Sequence, residues 1–273
     1  MYIKLKDFSL YAEGAISNLD KENIILFLHG FTGSSSDWDE IIPSLDNNFQ
    51  CITLDLIGHG KSDSPNNISY YDAASINTQL KFIISQLTDK PVILAGYSMG
   101  GRAALNFAIE NSGMISALIL ESATAGIKEE SLRLDRIRQD EKLVKFINDN
   151  PIDKFIDYWM NIDLFSTQKK LPKEVLIKVR EKKLQNNKIG LMNILNGFGT
   201  GKMIPLYEKL PSFYPKTLLI TGELDNKYCE INSEMNKLFP AASHYILKDC
   251  GHNTHFEQSK KFIEEINTFL SEF

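Results

Sequence analysis

The stretch Val92-Ile93-Leu94-Ala95-Gly96-Tyr97-Ser98-Met99-Gly100-Gly101-Arg102-Ala103-Ala104 decides how this chain folds. An apolar run of strand length drives into the pentapeptide Gly96-Tyr97-Ser98-Met99-Gly100 and emerges as a small-residue helix. A strand-turn-helix corner of this kind lifts its middle residue above the sheet, which makes Ser98 the candidate nucleophile. The Ser98 hydroxyl then stands at a helix N-terminus, where unpaired backbone N–H groups favour negative charge. Gly96 and Gly100 are small because strand and helix approach too closely there for side chains. G-x-S-x-G alone occurs by chance; the flanking strand and helix give it meaning.

Two partners follow downstream. Thr217-Leu218-Leu219-Ile220-Thr221-Gly222-Glu223-Leu224-Asp225 reads as a strand ending in an acidic turn, with Asp225 as the orienting carboxylate. Cys250-Gly251-His252-Asn253 falls between the strand around Tyr245-Ile246-Leu247 and a C-terminal helix. The order Ser98, Asp225, His252 is that of α/β-hydrolases, and differs from the chymotrypsin and subtilisin orders. Upstream, Ile24-Ile25-Leu26-Phe27-Leu28 leads into His29-Gly30-Phe31-Thr32-Gly33. The backbone N–H groups of Phe31 and Met99 are the expected oxyanion donors, inferred from position alone. His29 is expected to brace its loop, and His59 of Asp55-Leu56-Ile57-Gly58-His59-Gly60 to pack locally.

The 273 residues suffice for one large α/β core or for a core with an inserted subdomain, and 43% hydrophobic with 24% charged residues is ordinary globular composition. No segment approaches the roughly 18 apolar residues of a membrane span, and the N-terminus lacks the apolar stretch of a signal peptide. Cys51, Cys229 and Cys250 are odd in number and lack C-x-x-C spacing, so reduced thiols and a cytoplasmic location are expected, with neither disulfide nor metal site. A net charge of −5 argues against nucleic acid as a general partner. No motif specifies an oligomeric state.

Strand and helix patterns alternate, predicting a mostly parallel eight-stranded sheet with helices on both faces. The expected strands are 2–6, 9–14, 24–28, 50–54, 91–96, 116–121, 217–221 and 244–247, the first two forming an antiparallel edge hairpin. Helices are expected over about 72–88, 99–111, 230–238 and 257–271, the last burying Phe262, Ile263, Ile266, Phe269 and Leu270. Between Ala125 and Gly201 the alternation stops and short helices follow, anchored by Leu132, Leu143, Phe146, Ile147, Phe155, Tyr158 and Trp159. The expected division is therefore a core of residues 1–124 and 202–273 with a helical cap over 125–201. Residues 128–188 hold 15 Lys and Arg against 11 Asp and Glu, a balance of +4 that leaves −9 on the rest of the chain. Such an excess either attracts an anionic substrate or forms a solvated helix surface.

Arg102 lies four residues after Ser98, on the same helix face. A guanidinium beside a nucleophile points to a carboxylate or phosphate, unless a structural partner satisfies it. With Gly96-Tyr97-Ser98-Met99-Gly100-Gly101-Arg102, the run from Asn187-Lys188-Ile189-Gly190-Leu191 to Gly197-Phe198-Gly199-Thr200-Gly201, and Gly251-His252-Asn253-Thr254-His255-Phe256-Glu257, nearly the whole chain resembles one branch of the α/β-hydrolases. That branch is the 2-succinyl-6-hydroxy-2,4-cyclohexadiene-1-carboxylate synthases of menaquinone biosynthesis.

The resemblance implies elimination of pyruvate from a small polycarboxylate, with no cofactor and no water consumed. Ser98, deprotonated through His252, would remove the proton α to the succinyl ketone. The Phe31 and Met99 amides would hold the enolate, and Asp225 would fix the imidazole tautomer. It also implies cationic contacts. Arg102 matches the arginine of the Gly-Gly-Arg motif; Arg133, Arg136 and Arg138 crowd the first cap helix, with Arg133 placed on the substrate. Lys183 stands where the family would hold an arginine, supplying charge without the bidentate fork. Tyr97 and Trp159 are expected pocket residues, with packing as the alternative for each. Two other functions share these residues: a carboxylesterase or carbon–carbon-bond hydrolase with Ser98 as covalent nucleophile, and a non-enzymatic receptor, which would have no use for the three residues together.

Overall fold

The apolar runs form the strands of one eight-stranded sheet. In a computed structural model the chain is described over residues 1–14 and 23–273. The strands are β1 (Tyr2–Lys4), β2 (Ser9–Glu13), β3 (Asn23–Leu28), β4 (Phe49–Asp55), β5 (Val92–Tyr97), β6 (Ile115–Glu121), β7 (Lys216–Gly222) and β8 (Ala242–Leu247). Their order is β1-β2-β4-β3-β5-β6-β7-β8. As expected, β1 and β2 make an antiparallel pair at one edge, and β3 to β8 run parallel.

Both faces of the central strands are buried, which is why they read as continuous apolar runs instead of alternating ones. The pleat divides each run between two cores. Ile24, Leu26 and Leu28 of β3 join one cluster with helix α1 (Ala73–Leu87) and helix α2 (Met99–Glu110). Ile25 and Phe27 enter the other, with Trp38 and the C-terminal helix. That C-terminal segment is broken at Gln258 into α8 (Thr254–Glu257) and α9 (Ser259–Leu270), so the single helix expected there is two; α7 (Asn226–Leu238) starts four residues early. Phe262, Ile266, Phe269 and Leu270 are buried, with Ile263 packed at their margin.

Four helices fill the interval between β6 and β7: α3 (Glu130–Asp149), α4 (Ile152–Met160), α5 (Lys173–Lys183) and α6 (Lys188–Phe198). They share a small core of Ile147, Phe155, Ile156, Leu191 and Leu195. Leu132 is an exception to the expected anchors, 54% exposed in the first turn of α3, and Tyr158 is 50% exposed with its ring against Phe146. Six of the fifteen basic side chains of residues 128–188 meet acids, among them Arg136–Asp140, Lys145–Asp149, Arg180–Asp157 and Lys182–Asp39, and most of the others are exposed. The excess positive charge is thus largely a solvated surface. No helix among the described residues is long and apolar enough to cross a membrane.

The sheet order reverses direction around β3, whose neighbours are β4 and β5. Loops leaving β3 and β5 part there, opening a crevice at the strand C-termini, where open α/β sheets bind ligands. A Cβ on Gly100 would overlap the Leu28 and His29 carbonyls, and one on Gly96 the Gly100 backbone. These contacts set the height of the β5–α2 corner. Gly100→Ala should therefore cost about 1–3 kcal/mol or more in denaturant unfolding, since the obstacle is backbone and cannot rotate away.

Candidate active site

Ser98 ends β5 and begins α2 with φ 50° and ψ −104°, a conformation that a non-glycine residue adopts only when its surroundings impose it. Its amide donates to the Glu121 carbonyl at 2.8 Å, tying the corner to β6. The Ser98 Oγ is 3.0 Å from His252 Nε2, and His252 Nδ1 is 2.6 Å from Asp225 Oδ2. Asp225 caps α7 through the Tyr228 amide, which holds its other oxygen. The three groups therefore form a continuous relay, with His252 and Asp225 buried. With Nδ1–H donated to the carboxylate, Nε2 is left to accept the serine proton.

The loop after β3 approaches from the other side. His29 donates Nδ1–H to the Gly30 carbonyl at 2.7 Å and accepts the Leu56 amide on Nε2 at 3.0 Å, so it braces the loop. Among the described residues neither the Phe31 nor the Met99 amide donates a hydrogen bond, which leaves both free for a ligand oxygen. The Phe31 ring packs against His59, Phe155 and Trp159, joining the loop to the helical insertion.

His59 itself is buried, and its Nδ1 meets the Ile57 carbonyl at 3.2 Å. Burial first, then the neighbouring His29 ring, hold its pKa well below the usual 6.5. The folded state keeps this ring neutral while the unfolded chain takes up a proton near pH 6.5. Its contribution to stability is complete above that pH and is lost as pH falls towards the lowered folded value. His59→Asn should flatten this acid slope by up to one proton, which denaturant titrations at pH 5 and 7.5 will read.

Ser98 opens onto a cavity of about 580 Å³ between the sheet and the helical insertion. Among the described residues its charged lining is Arg102, Arg136 and Lys142 against Asp140. Arg102 is only 8% exposed. Its Nη1 donates to the Phe198 carbonyl at 2.8 Å and the group lies 4.8 Å from the Phe198 ring centre. No carboxylate among the described residues lies within ion-pair distance of it. Burial, with Arg136 nearby, lowers its pKa to about 10, so it remains a cation at neutral pH. One carbonyl satisfies one of five guanidinium donors, a strongly incomplete account for a buried charge.

The other expected contacts divide. Trp159 lies on the cavity wall, and its buried Nε1 has no hydrogen-bond partner among the described residues. Tyr97 is on the wall too, with its ring against His252 and His255; burial pushes its phenol well up and keeps it neutral. Arg133 is not on the wall. It turns to the Gly201 carbonyl (3.3 Å), satisfying that backbone, while Arg136 one turn further along α3 faces the cavity. Lys183 also misses the large cavity, lying on a smaller one of about 80 Å³ that shares Phe31, Tyr97 and Phe165 with it. There its Nζ donates to Thr32 Oγ1 at 3.0 Å, and burial lowers its pKa. Among the described residues, no group of three or more His, Cys, Asp or Glu side chains is arranged to hold a metal ion.

Some site residues carried little signal. Tyr228 lines the cavity with its ring 4.5 Å from His252, burial raising its phenol pKa. It is three residues after Asp225, one helical turn, so the helix start at Asn226 would have revealed it. Asp140 sits four residues from Arg136 and pairs with it at 2.8 Å, a spacing common on exposed helices and therefore uninformative alone.

The relay, the two unused amides and the parallel sheet define a serine-centred α/β hydrolase, and the alpha/beta hydrolase fold family matches residues 23–259. A Bacillus subtilis (strain 168) protein provisionally named 2-succinyl-6-hydroxy-2,4-cyclohexadiene-1-carboxylate synthase is 40% identical over 250 residues, covering 90% of each chain. The solved structure of MenH from S. aureus superposes with a TM-score of 0.91 at 34% identity, covering 96% of this chain and 98% of that one. An Enterobacter sp. (strain 638) protein bearing the same synthase name is 26% identical over 85% of this chain and 86% of its own. The chain belongs to the 2-succinyl-6-hydroxy-2,4-cyclohexadiene-1-carboxylate synthase family of α/β hydrolases.

Proposed function

We propose that this chain is a lyase that eliminates pyruvate from 2-succinyl-5-enolpyruvyl-6-hydroxy-3-cyclohexene-1-carboxylate, giving the 2,4-cyclohexadiene carboxylate of menaquinone biosynthesis. Family membership supports the reaction, and one observation in the cavity supports the substrate's charge. Arg102 is a buried cation with no ion-paired carboxylate among the described residues, on the same wall as Ser98. A substrate carboxylate would complete it.

In this reading Ser98, Asp225 and His252 move one proton. His252 Nε2 takes the Ser98 hydroxyl proton as the serine oxygen removes the ring hydrogen α to the succinyl ketone. Negative charge grows on the ketone oxygen, which the Phe31 and Met99 amides receive; one such donor is typically worth about 3–4 kcal/mol in the transition state. The electron pair then forms a ring double bond, shifts the existing one along the ring, and breaks the ring carbon–oxygen bond to the enolpyruvyl group. The departing enolate takes up a proton and becomes pyruvate. Asp225 keeps His252 in the tautomer that accepts on Nε2 and stabilises its charged form.

Arg102, Arg136, Tyr97 and Trp159 are the substrate contacts we assign in the large cavity, with Lys183 at its smaller neighbour. Residues 125–201 serve as the cap over a core of 1–124 and 202–273. Cys51, Cys229 and Cys250 form no disulfide, which suits a reducing compartment such as the cytoplasm. An ordinary esterase would use the same relay, but gains nothing from burying an unpaired guanidinium beside the nucleophile. Pyruvate release coupled to lactate dehydrogenase tests the reading. Turnover of the menaquinone intermediate far above that of a neutral aryl ester supports it, and the reverse preference overturns it.

A further inference from the structure

A second acid–histidine pair lies beneath the relay. Glu121 is the last residue of β6 and 1% exposed. Its Oε1 accepts the Thr254 hydroxyl at 2.8 Å and the His255 amide at 2.9 Å, and its Oε2 accepts His255 Nδ1–H at 2.6 Å. All three donors belong to the turn that immediately follows His252. The backbone carbonyl of this same residue accepts the Ser98 amide. One residue thus ties the nucleophile through its main chain and the histidine loop through its side chain.

The pair is held from both sides. The His255 ring stacks on Trp38 with centres 4.5 Å apart, and meets the edge of Tyr97 at 5.1 Å. Tyr97 in turn packs 5.5 Å from the His252 ring. Burying a carboxylate is expensive unless its hydrogen bonds are made, and here they are all made to one short segment. Asp225 orients His252 within its ring plane; nothing in that bond fixes the height of the loop above the sheet.

We propose that Glu121 and His255 are positioning residues that set the reach of His252 to Ser98. The inference rests on Ser98, His252 and Asp225 being the working relay, and is independent of which substrate they act on. A misplacement of about 1 Å in a reacting group can cost up to ~100-fold in rate, so a clamp at this position has a kinetic signature. Glu121→Gln keeps the shape and the Oε1 acceptor but turns an amide N–H₂ towards His255 Nδ1, so the bond survives only if the ring moves its proton to Nε2, and the charged acceptor is lost in either case.

The test is the second-order rate at which a fluorophosphonate labels Ser98, followed by intact mass, alongside kcat and KM for pyruvate release. The probe needs the Ser–His couple but no substrate recognition. Glu121→Gln should lower both the labelling rate and kcat by about 30-fold, with KM within about twofold of the parent. His255→Gln should behave alike, and Thr254→Val should lose less, because one of three bonds is removed. Labelling within about twofold of the parent in a folded Glu121→Gln protein overturns the proposal, as does a loss confined to KM. Should Glu121→Gln not fold, His255→Gln decides by the same criteria. If the parent labels rapidly yet releases no pyruvate, the substrate reading fails while the labelling comparison still decides the clamp.

Discussion

Ser98→Ala and His252→Ala should each lower pyruvate release by three or more orders of magnitude while the protein stays folded. The serine loses only a hydroxyl; the imidazole is buried, so His252→Ala leaves a space beside the crevice and costs some stability without unfolding the chain. The effect is kinetic: without Oγ there is no base on the substrate side, and without Nε2 the serine cannot shed its proton at neutral pH. The two groups act as a unit, so the double variant should be barely worse than either single one. Additive losses would mean that serine and imidazole act on separate steps. Progress curves of pyruvate formation for the three variants, with circular dichroism as the folding control, give the answer.

Arg102→Met should separate activity from stability. The guanidinium is buried, bonds one carbonyl and has no carboxylate within ion-pair distance among the described residues. Replacing such an unpaired charge with an apolar chain of similar length is expected to leave stability unchanged or raise it. Binding should suffer, because a substrate carboxylate entering the cavity loses a charge-assisted partner after giving up its water. Loss of one partner from a desolvated charge pair costs on the order of 2–5 kcal/mol, which puts the fall in kcat/KM at roughly 10²–10³-fold. Arg136 lies near enough to depress the Arg102 pKa, so part of the anion's stabilisation should survive. Thermal unfolding and steady-state kinetics on the same preparation check both halves. An unstable protein with normal kinetics would assign Arg102 to packing.

Much of this architecture is legible in the residues because local signals and tertiary role coincide. The β5–α2 corner needs a strand, two glycines and a helix start, and all lie within thirteen consecutive residues. The strands of the parallel sheet stand out because burial on both faces demands unbroken apolar runs. The insertion is harder to read. Helix α3 is so rich in charge that Leu132 passes for an anchor although it faces solvent, and three arginines within six residues differ only in their rotation about the axis. Arg133 meets a carbonyl of the 200–202 segment, a contact set by a chain crossing some 70 residues later and invisible in local spacing. Glu121 shows the same limit: at the end of an apolar strand it looks like a solvated terminus, and only the return of residues 254–255 buries it.

In the proposed reaction Ser98 takes a proton from carbon and is never acylated. Rapid-quench intact-mass analysis during turnover of the enolpyruvyl intermediate tests it most directly. Pyruvate and the conjugated cyclohexadiene should form in equal amounts while the protein mass stays that of the free chain at every time point. A transient adduct on Ser98 that rises and decays at the rate of turnover would instead make the protein an acyl-transfer enzyme and rule out proton abstraction by the serine.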